Sequence, residues 1–259
     1  MNKNKENGIV YYSFKNLDKT GLVKNCFTTR IGGVSKGCFK SLNLGHNRGD
    51  LDSNVLENYE NLGVALKINI NNLVYSNQTH GIEIHIASNP NKNLQDIDAL
   101  ITTKNKLPLL TFFADCVPLL FLDTKKKIIA NAHSGWMGTL QNMAGVVVKC
   151  MIDNFESDPK DILACIGPSI SQEYFEVDYD VASSFINKIP KSKKFIIQKG
   201  KKFHIDLWSL NEQLLIDNGI LKNNIEIANI CTFKNKDEFY SHRRDGSDRG
   251  SMVAIIELI

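Results

Sequence analysis

The stretch that decides the fold runs Leu109-Leu110-Thr111-Phe112-Phe113-Ala114-Asp115-Cys116-Val117-Pro118-Leu119-Leu120-Phe121-Leu122, then, past Lys125-Lys126-Lys127, Ile128-Ile129-Ala130-Asn131-Ala132-His133. Three runs of strand length, dense in β-branched and aromatic residues, follow one another, and Lys125–Lys127 reads as the solvated turn between two of them. Behind them, residues 138–154 are long and apolar enough for a buried helix. Working outward, Leu73–Ser76 and Ile82–Ile86 read as strands. Residues 158–162 read as a short turn leading into a strand at Leu163–Gly167. Residues 181–186 and 207–218 suit helices, the second with Leu207, Leu210, Leu214 and Leu215 at helical intervals. Helices and strands alternate, which predicts an α/β protein. Asn and Lys clusters near residues 1–7, 88–96, 153–160, 187–202 and 222–225 read as loops inside one fold, because none has the length of a flexible linker. With no internal repeat, residues 1–259 are expected to form a single domain.

Composition narrows the function classes. Thirty-one Lys and Arg against 28 Asp and Glu leave a formal charge of +3, too small to argue for nucleic acid, while a small anionic ligand stays open. The longest apolar stretches carry Asp115, Pro118 or Lys149 and fall short of the roughly 20 residues of a membrane span. The opening Met-Asn-Lys-Asn-Lys-Glu-Asn has no apolar core behind its charges, so a cytoplasmic location is expected. No protein partner is evident. Six cysteines without a close pair speak against a disulfide scaffold or zinc ribbon, and Cys26, Cys38, Cys150, Cys165 and Cys231 read as packing residues.

Three places carry chemistry. Gln78-Thr79-His80-Gly81 puts a histidine in a turn between two strands. At Asp115-Cys116 an acid and a thiol interrupt an apolar run, and a buried carboxylate there must meet a donor or a cation. At His133-Ser134-Gly135-Trp136 a strand ends on a histidine just before a helix, whose free N–H groups suit an oxyanion, although the spacing and lysine of a Walker loop are absent. Two imidazoles and a thiolate match a catalytic zinc site with an open position. The separations of 36 and 17 residues suit ligands at the ends of neighbouring strands, not a finger. The same atoms also permit a hydrolase in which Cys116 attacks, His133 is its base and His80 or Asp115 orients the pair. The residues alone leave both readings open.

Taken together, these segments resemble the laccase-domain, or polyphenol oxidase-like, family of multifunctional purine nucleoside enzymes. The likeness spans Thr28-Thr29-Arg30-Ile31-Gly32-Gly33-Val34-Ser35, Ser41-Leu42-Asn43-Leu44-Gly45, the His80, Cys116 and His133 segments, Cys165-Ile166-Gly167-Pro168-Ser169-Ile170, Cys231-Thr232-Phe233 and Tyr240-Ser241-His242-Arg243-Arg244-Asp245-Gly246, in the family's order. The resemblance implies a mixed α/β/β/α sandwich and one zinc held by His80, Cys116 and His133. It implies phosphorolysis of adenosine, inosine and 5′-methylthioadenosine, and deamination of adenosine, in which zinc lowers the pKa of water toward about 7 for attack at C6. Asp115 would act beside the metal as a catalytic group or orient a histidine. Arg30, Asn43, Arg48, Gln78, Arg243 and Arg244 would contact nucleoside or phosphate, with Asn43 alternatively capping a turn. A copper-dependent phenol oxidase, as the older family name suggests, needs a His-rich ligand set, and six histidines without a His-x-His pair argue against it.

The chain departs from its relatives in two places. Where many read AHAGWRG, Ser134 and Met137 stand here, so an arginine after the tryptophan is missing. Where relatives carry paired cysteines, Gln172 and Glu173 stand here. Among the remaining candidates, His85 is expected to be exposed, His204 to make a strand-edge contact in preference to an orienting pair with Asp206, and Trp136 to anchor its helix to the core.

Overall fold

The structure, a computed structural model, describes residues 1–259. A seven-stranded sheet runs in the order Asn2–Glu6, Ile9–Ser13, Val23–Thr28, Met252–Leu258, Leu109–Phe113, Val74–Asn77, Asn91–Gln95. A six-stranded sheet runs Ile225–Ile227, Ile162–Ile166, Val117–Asp123, Ile128–Ser134, Ala99–Thr102, Ile84–Ile86, and three short strands between Glu176 and Ile205 form a third.

Strand alternation stacks these pieces into layers, because successive side chains leave a strand on opposite faces. Leu109 and Phe113 of the larger sheet pack with Met252, Ala254 and Ile256 against Leu120, Leu122 and Ile129 of the smaller one, which makes the core between the sheets. Leu110, Val253 and Ile255 point the other way, onto Val55, Tyr59 and Leu62 of the helix Asp52–Leu66. Leu119, Phe121 and Ala130 face the opposite outer layer, where the helices Met143–Phe155, Tyr179–Lys188 and Leu207–Asp217 supply Val147, Phe185, Leu210 and Leu214. The result is the expected α/β/β/α stack.

One buried polar residue pins the two sheets in register. Asn131 of the smaller sheet donates to the carbonyls of Leu109 and Ala254 in the larger sheet, 2.9 Å each, and accepts from the Thr111 hydroxyl at 2.5 Å. Its amide is thereby satisfied although the residue is fully buried, the condition for burying it at all.

The structure corrects the sequence reading in several places. Asn2–Glu6 and Asn91–Gln95, expected as loops, are strands and form the two outer edges of the larger sheet. Their Lys and Asn content suits an edge, where charged side chains discourage pairing with another chain. Part of another expected loop, Ile196–Lys199, is also a strand. The helix expected over 138–154 is two, Trp136–Leu140 and Met143–Phe155, because Asn142 takes a left-handed conformation (φ 63°) and caps the second through Gly145 N–H. The helix Asp52–Leu66 was not anticipated. Cys38 is exposed and Cys150 only partly covered, against the expectation of packing roles; Cys26, Cys165 and Cys231 are buried. His85 is half-buried, while its neighbour Ile86 is the more exposed. His204 and Asp206 do not pair: His204 Nδ1 lies 3.0 Å from the Gln172 carbonyl, and Asp206 caps the helix that follows it. Trp136 packs against the outer core as expected.

Candidate metal centre

The chain crosses repeatedly between the sheets, and the chemistry gathers at two of these crossings. Ala114-Asp115-Cys116 joins Leu109–Phe113 in the larger sheet to Val117–Asp123 in the smaller, and Gln78–Glu83 joins Val74–Asn77 to Ile84–Ile86. His133 arrives on the central strand Ile128–Ser134. The ligand-capable atoms of His80, Cys116 and His133 lie within 4.8 Å of one another, the one such group of three in the chain, and the two imidazole rings meet edge to face at 4.8 Å. Gly135 closes the back of this group. A Cβ there would stand 3.1 Å from His80 Cδ2 and 3.2 Å from Cys116 Sγ, tighter than ordinary contact. Two imidazoles and one thiolate, with no fourth protein donor, form a donor set able to hold a metal ion and leave one position open.

The carboxylate that organises the group is Asp98, which sequence reasoning missed. It is fully buried just before the strand Ala99–Thr102. Its Oδ1 accepts from His80 N–H at 3.1 Å and lies 2.8 Å from His133 Nδ1; its Oδ2 accepts from Thr79 N–H at 3.1 Å and Gly81 N–H at 2.8 Å. One side chain therefore holds the turn that carries His80, at a left-handed φ of 64°, and sets the His133 ring with its proton on Nδ1. Burial pushes the Asp98 carboxyl up, but His133 and the backbone donors outweigh it and hold it below the usual range. Burial likewise opposes charge on Cys116, yet His133, and to a smaller extent His80, bring the thiol down to about 6. His133 answers in kind: burial would lower it, and the Cys116 charge together with Asp98 raises it to about 9. The only sequence sign of Asp98 is a pair of acids, Asp96 and Asp98, before a short apolar run, with nothing to tell which one turns inward.

Asp115 takes a different part from the one expected. It touches neither histidine. It accepts from the Thr232 hydroxyl (2.6 Å), the Ser241 hydroxyl (2.8 Å) and Arg243 N–H (2.8 Å), so it ties the Cys116 crossover to the two carboxy-terminal motifs. The demand that a buried carboxylate find donors is met there.

The three ligand-capable residues open onto a cleft of about 1030 Å³ whose walls are residues 45–48, 75–78, 92–95 and 112–114, with His242, Ser247, Arg249 and Ser251. Arg48, Lys92 and Arg249 face a single acid, Asp52, so the cleft favours anions. On one wall His46 stacks on Tyr59 and Tyr75 and meets Phe112 edge-on; burial first, then the charge of Lys92, outweighs Asp52 and keeps its pKa below the ordinary value.

Of the residues expected to contact substrate, Arg48 and Gln78 line this cleft, Gln78 being held by paired bonds to the Phe112 backbone. The others are engaged elsewhere. Arg30 lies over the Tyr240 ring and donates to Lys40 and Lys236 carbonyls. Arg243 donates to the Glu176 carbonyl, and Arg244 pairs with Asp245 and donates to the Phe233 and Phe239 carbonyls. Asn43 is fully buried and caps a turn: its Oδ1 accepts from Gly45 and Ser251 N–H, and its Nδ2 donates to Asp50. Arg249, which sequence reasoning did not single out, lines the cleft.

Comparison with known proteins assigns the family. The model of a family described as multi-copper polyphenol oxidoreductase laccase matches residues 24–259. The chain belongs to this family. Among its laccase-like relatives, purine nucleoside phosphorylase YlmD of Bacillus subtilis is 33% identical over 89% of this chain and 86% of its own length. Purine nucleoside phosphorylase YfiH of Escherichia coli is also 33% identical, over 92% of this chain and 94% of its own. The crystal structure of YlmD from Geobacillus stearothermophilus superposes with a TM-score of 0.92 at 28% identity, covering 98% of this chain and 97% of that one. The family description and the relatives' names point to different chemistries. A multi-copper oxidase needs several ligand clusters, whereas this laccase-like chain offers one group of three donors. No helix is long and apolar enough to cross a membrane.

Proposed function

We propose that this chain is a zinc-dependent purine nucleoside phosphorylase acting on adenosine, inosine and 5′-methylthioadenosine, with adenosine deaminase activity. The observation that carries the reading is the meeting of His80, Cys116 and His133 within 4.8 Å at the floor of an anion-favouring cleft, in a chain whose relatives are named purine nucleoside phosphorylases. Zinc held there supplies Lewis acidity and lowers the pKa of water, the property that deamination at C6 requires.

The chain's own residues supply the rest. Asp98 keeps the His133 proton on Nδ1, so that the Nε2 lone pair faces the ligand position, and it holds the His80 turn in place. The two histidines favour the thiolate of Cys116, the form in which sulfur binds metal. Tyr75 and Phe112 on the cleft wall offer aromatic faces to a purine. In phosphorolysis a phosphate oxygen bonds to C1′ as the bond from C1′ to the purine nitrogen breaks; the electron pair leaves with the base, which takes up a proton. The cationic lining favours the phosphate.

One observation favours a second reading. A thiol at about 6 beside an imidazole at about 9 is also the electrostatic arrangement of a cysteine nucleophile and its base. Metal content separates the two. Elemental analysis of the purified chain is expected to find one zinc and no copper. Adenosine given with and without phosphate is expected to yield adenine plus ribose 1-phosphate in one case and inosine in the other, and Cys116→Ala should lose metal and both activities. A zinc-replete wild type that converts no purine nucleoside refutes the function, and full activity without metal transfers the site to the nucleophile reading.

A further inference from the structure

Arg249 is the anomaly of the cleft. It is only 7% exposed, yet no carboxylate lies within ion-pair distance. One end of its guanidinium is anchored: Nη1 donates to the Gly250 carbonyl at 2.9 Å and reaches Ser251 Oγ at 3.4 Å. The other edge is not. Nε is buried without an acceptor, and Nη2 makes no bond to the protein. The Nε and Nη2 N–H groups point the same way in a planar fork, the pair of donors with which arginine grips two oxygens of one carboxylate or phosphate. A buried cationic donor left unpaired is costly, and such groups normally have a partner.

The neighbours tell which partner. Arg48, exposed on the turn that Asn43 holds, runs beside Gly45: a Cβ on Gly45 would lie 3.1 Å from Arg48 Cδ and 2.8 Å from Ser251 Oγ. Arg48 likewise has no carboxylate partner. The Arg48 side chain thus passes close to Ser251, whose hydroxyl Arg249 reaches, and both arginines line the cleft that also holds the three ligand-capable side chains. Burial first, and the charge of Arg48 second, bring Arg249 down to about 10, so it stays cationic at neutral pH beside a second guanidinium that repels it. A carboxylate would neutralise one of them. A doubly charged tetrahedral oxyanion satisfies both and can accept from Ser251 as well.

We propose that Arg249, Arg48 and Ser251 form the oxyanion subsite of this cleft and that its occupant is inorganic phosphate. Its use as co-substrate rests on the phosphorylase reading above; its existence as a binding site does not. Asn43 is then a positioning residue, because its single Oδ1 fixes Gly45 N–H, on the turn of Arg48, and Ser251 N–H together. Met137, where many relatives carry an arginine, does not line the cleft.

The test titrates inorganic phosphate into the full-length zinc-loaded chain by calorimetry, for wild type, Arg249→Gln, Arg249→Lys and Arg48→Ala, with melting temperatures recorded to confirm folding. Losing a charge-assisted fork is expected to weaken phosphate about tenfold or more in Arg249→Gln. Arg249→Lys, which keeps the charge without the fork, should fall between. Arg48→Ala, an exposed change that leaves the core untouched, should weaken phosphate even if Arg249→Gln fails to fold. In turnover assays the KM for phosphate should rise in step with the Kd, and the KM for nucleoside should not follow. Unchanged phosphate binding in Arg249→Gln and Arg48→Ala overturns the proposal, as does a wild type that binds adenosine 5′-monophosphate but not free phosphate. If wild type turns over no nucleoside yet binds phosphate through these arginines, the phosphorylase reading fails and the subsite stands.

Discussion

Asp98→Asn is the most informative single change, because the two proteins differ in one atom and the structure says what that atom does. Each carboxylate oxygen accepts twice: Oδ1 from His80 N–H and His133 Nδ1, Oδ2 from Thr79 and Gly81 N–H. The amide must put NH₂ at one of these places. At the Oδ2 place it leaves two backbone donors facing a donor, and two lost bonds to a charged acceptor, at about 1.5–3 kcal/mol each, amount to about 3–6 kcal/mol. At the Oδ1 place it drives His133 to the tautomer with its proton on Nε2, the nitrogen that must be bare to bind metal. Either orientation harms the site, and loss of a carboxylate behind a ligating histidine typically weakens metal by about ten- to hundredfold. Urea unfolding in the presence of a chelator reads the first effect, and zinc titration against a chromophoric competitor reads the second. A variant within about 1 kcal/mol of wild type whose zinc affinity stays within about threefold refutes the role given to Asp98.

Gly135→Ala places a methyl group 3.1 Å from His80 and 3.2 Å from Cys116, and its backbone (φ −63°) tolerates alanine; zinc titration should show weakened metal binding with folding preserved by circular dichroism. Asn131→Ala strips the Leu109 and Ala254 carbonyls and the Thr111 hydroxyl of their partner, and chemical denaturation is expected to show a loss of about 2–4 kcal/mol. Met137→Arg restores the residue common among relatives, and because position 137 is 37% exposed and outside the cleft, the KM for phosphate should change by less than about twofold. Glu257 is held above the ordinary carboxylate range by burial, which Lys24 only partly offsets, so its charged form is disfavoured in the fold. Its stabilising share is present below the unfolded value and lost as pH rises through the raised one. Glu257→Gln should therefore gain on wild type in urea unfolding as pH rises from 4 toward 7, and a gain that shrinks with rising pH contradicts this.

What the sequence disclosed depended on how strongly each residue is constrained locally. The runs at 109–113, 117–123, 128–134 and 162–166 are mostly buried and dominated by apolar residues, and they declare themselves as strands. Cys116 and His133 were legible because one interrupts and the other ends an apolar run, whereas His80 showed only as a histidine in a turn, and the family resemblance joined the three. Asn2–Glu6 and Asn91–Gln95 were not, since edge strands carry the same Lys and Asn as loops, and only a neighbour's hydrogen bonds make them strands. The helix Asp52–Leu66 shows its buried face at Val55, Tyr59 and Leu62, but Asn54, Glu57, Glu60 and Asn61 between them dilute the signal. Asp98 and Asn43 act through partners far away in the chain: His133 lies 35 residues from Asp98, and Ser251 lies 208 from Asn43. No local pattern carries that information. For the same reason the arginines at 30, 243 and 244, conspicuous in their motifs, gave no sign that backbone carbonyls already engage them.

The strand Asn91–Gln95 is at once an outer edge of the larger sheet and, through Lys92, Asn93, Leu94 and Gln95, a wall of the cleft. Side chains there pack against little, so they can be exchanged during evolution at small cost to the core, while the floor built by Asp98 and its partners tolerates almost no change. Substitutions along this rim can thus change which ligand the cleft admits without disturbing the group of donors at its floor.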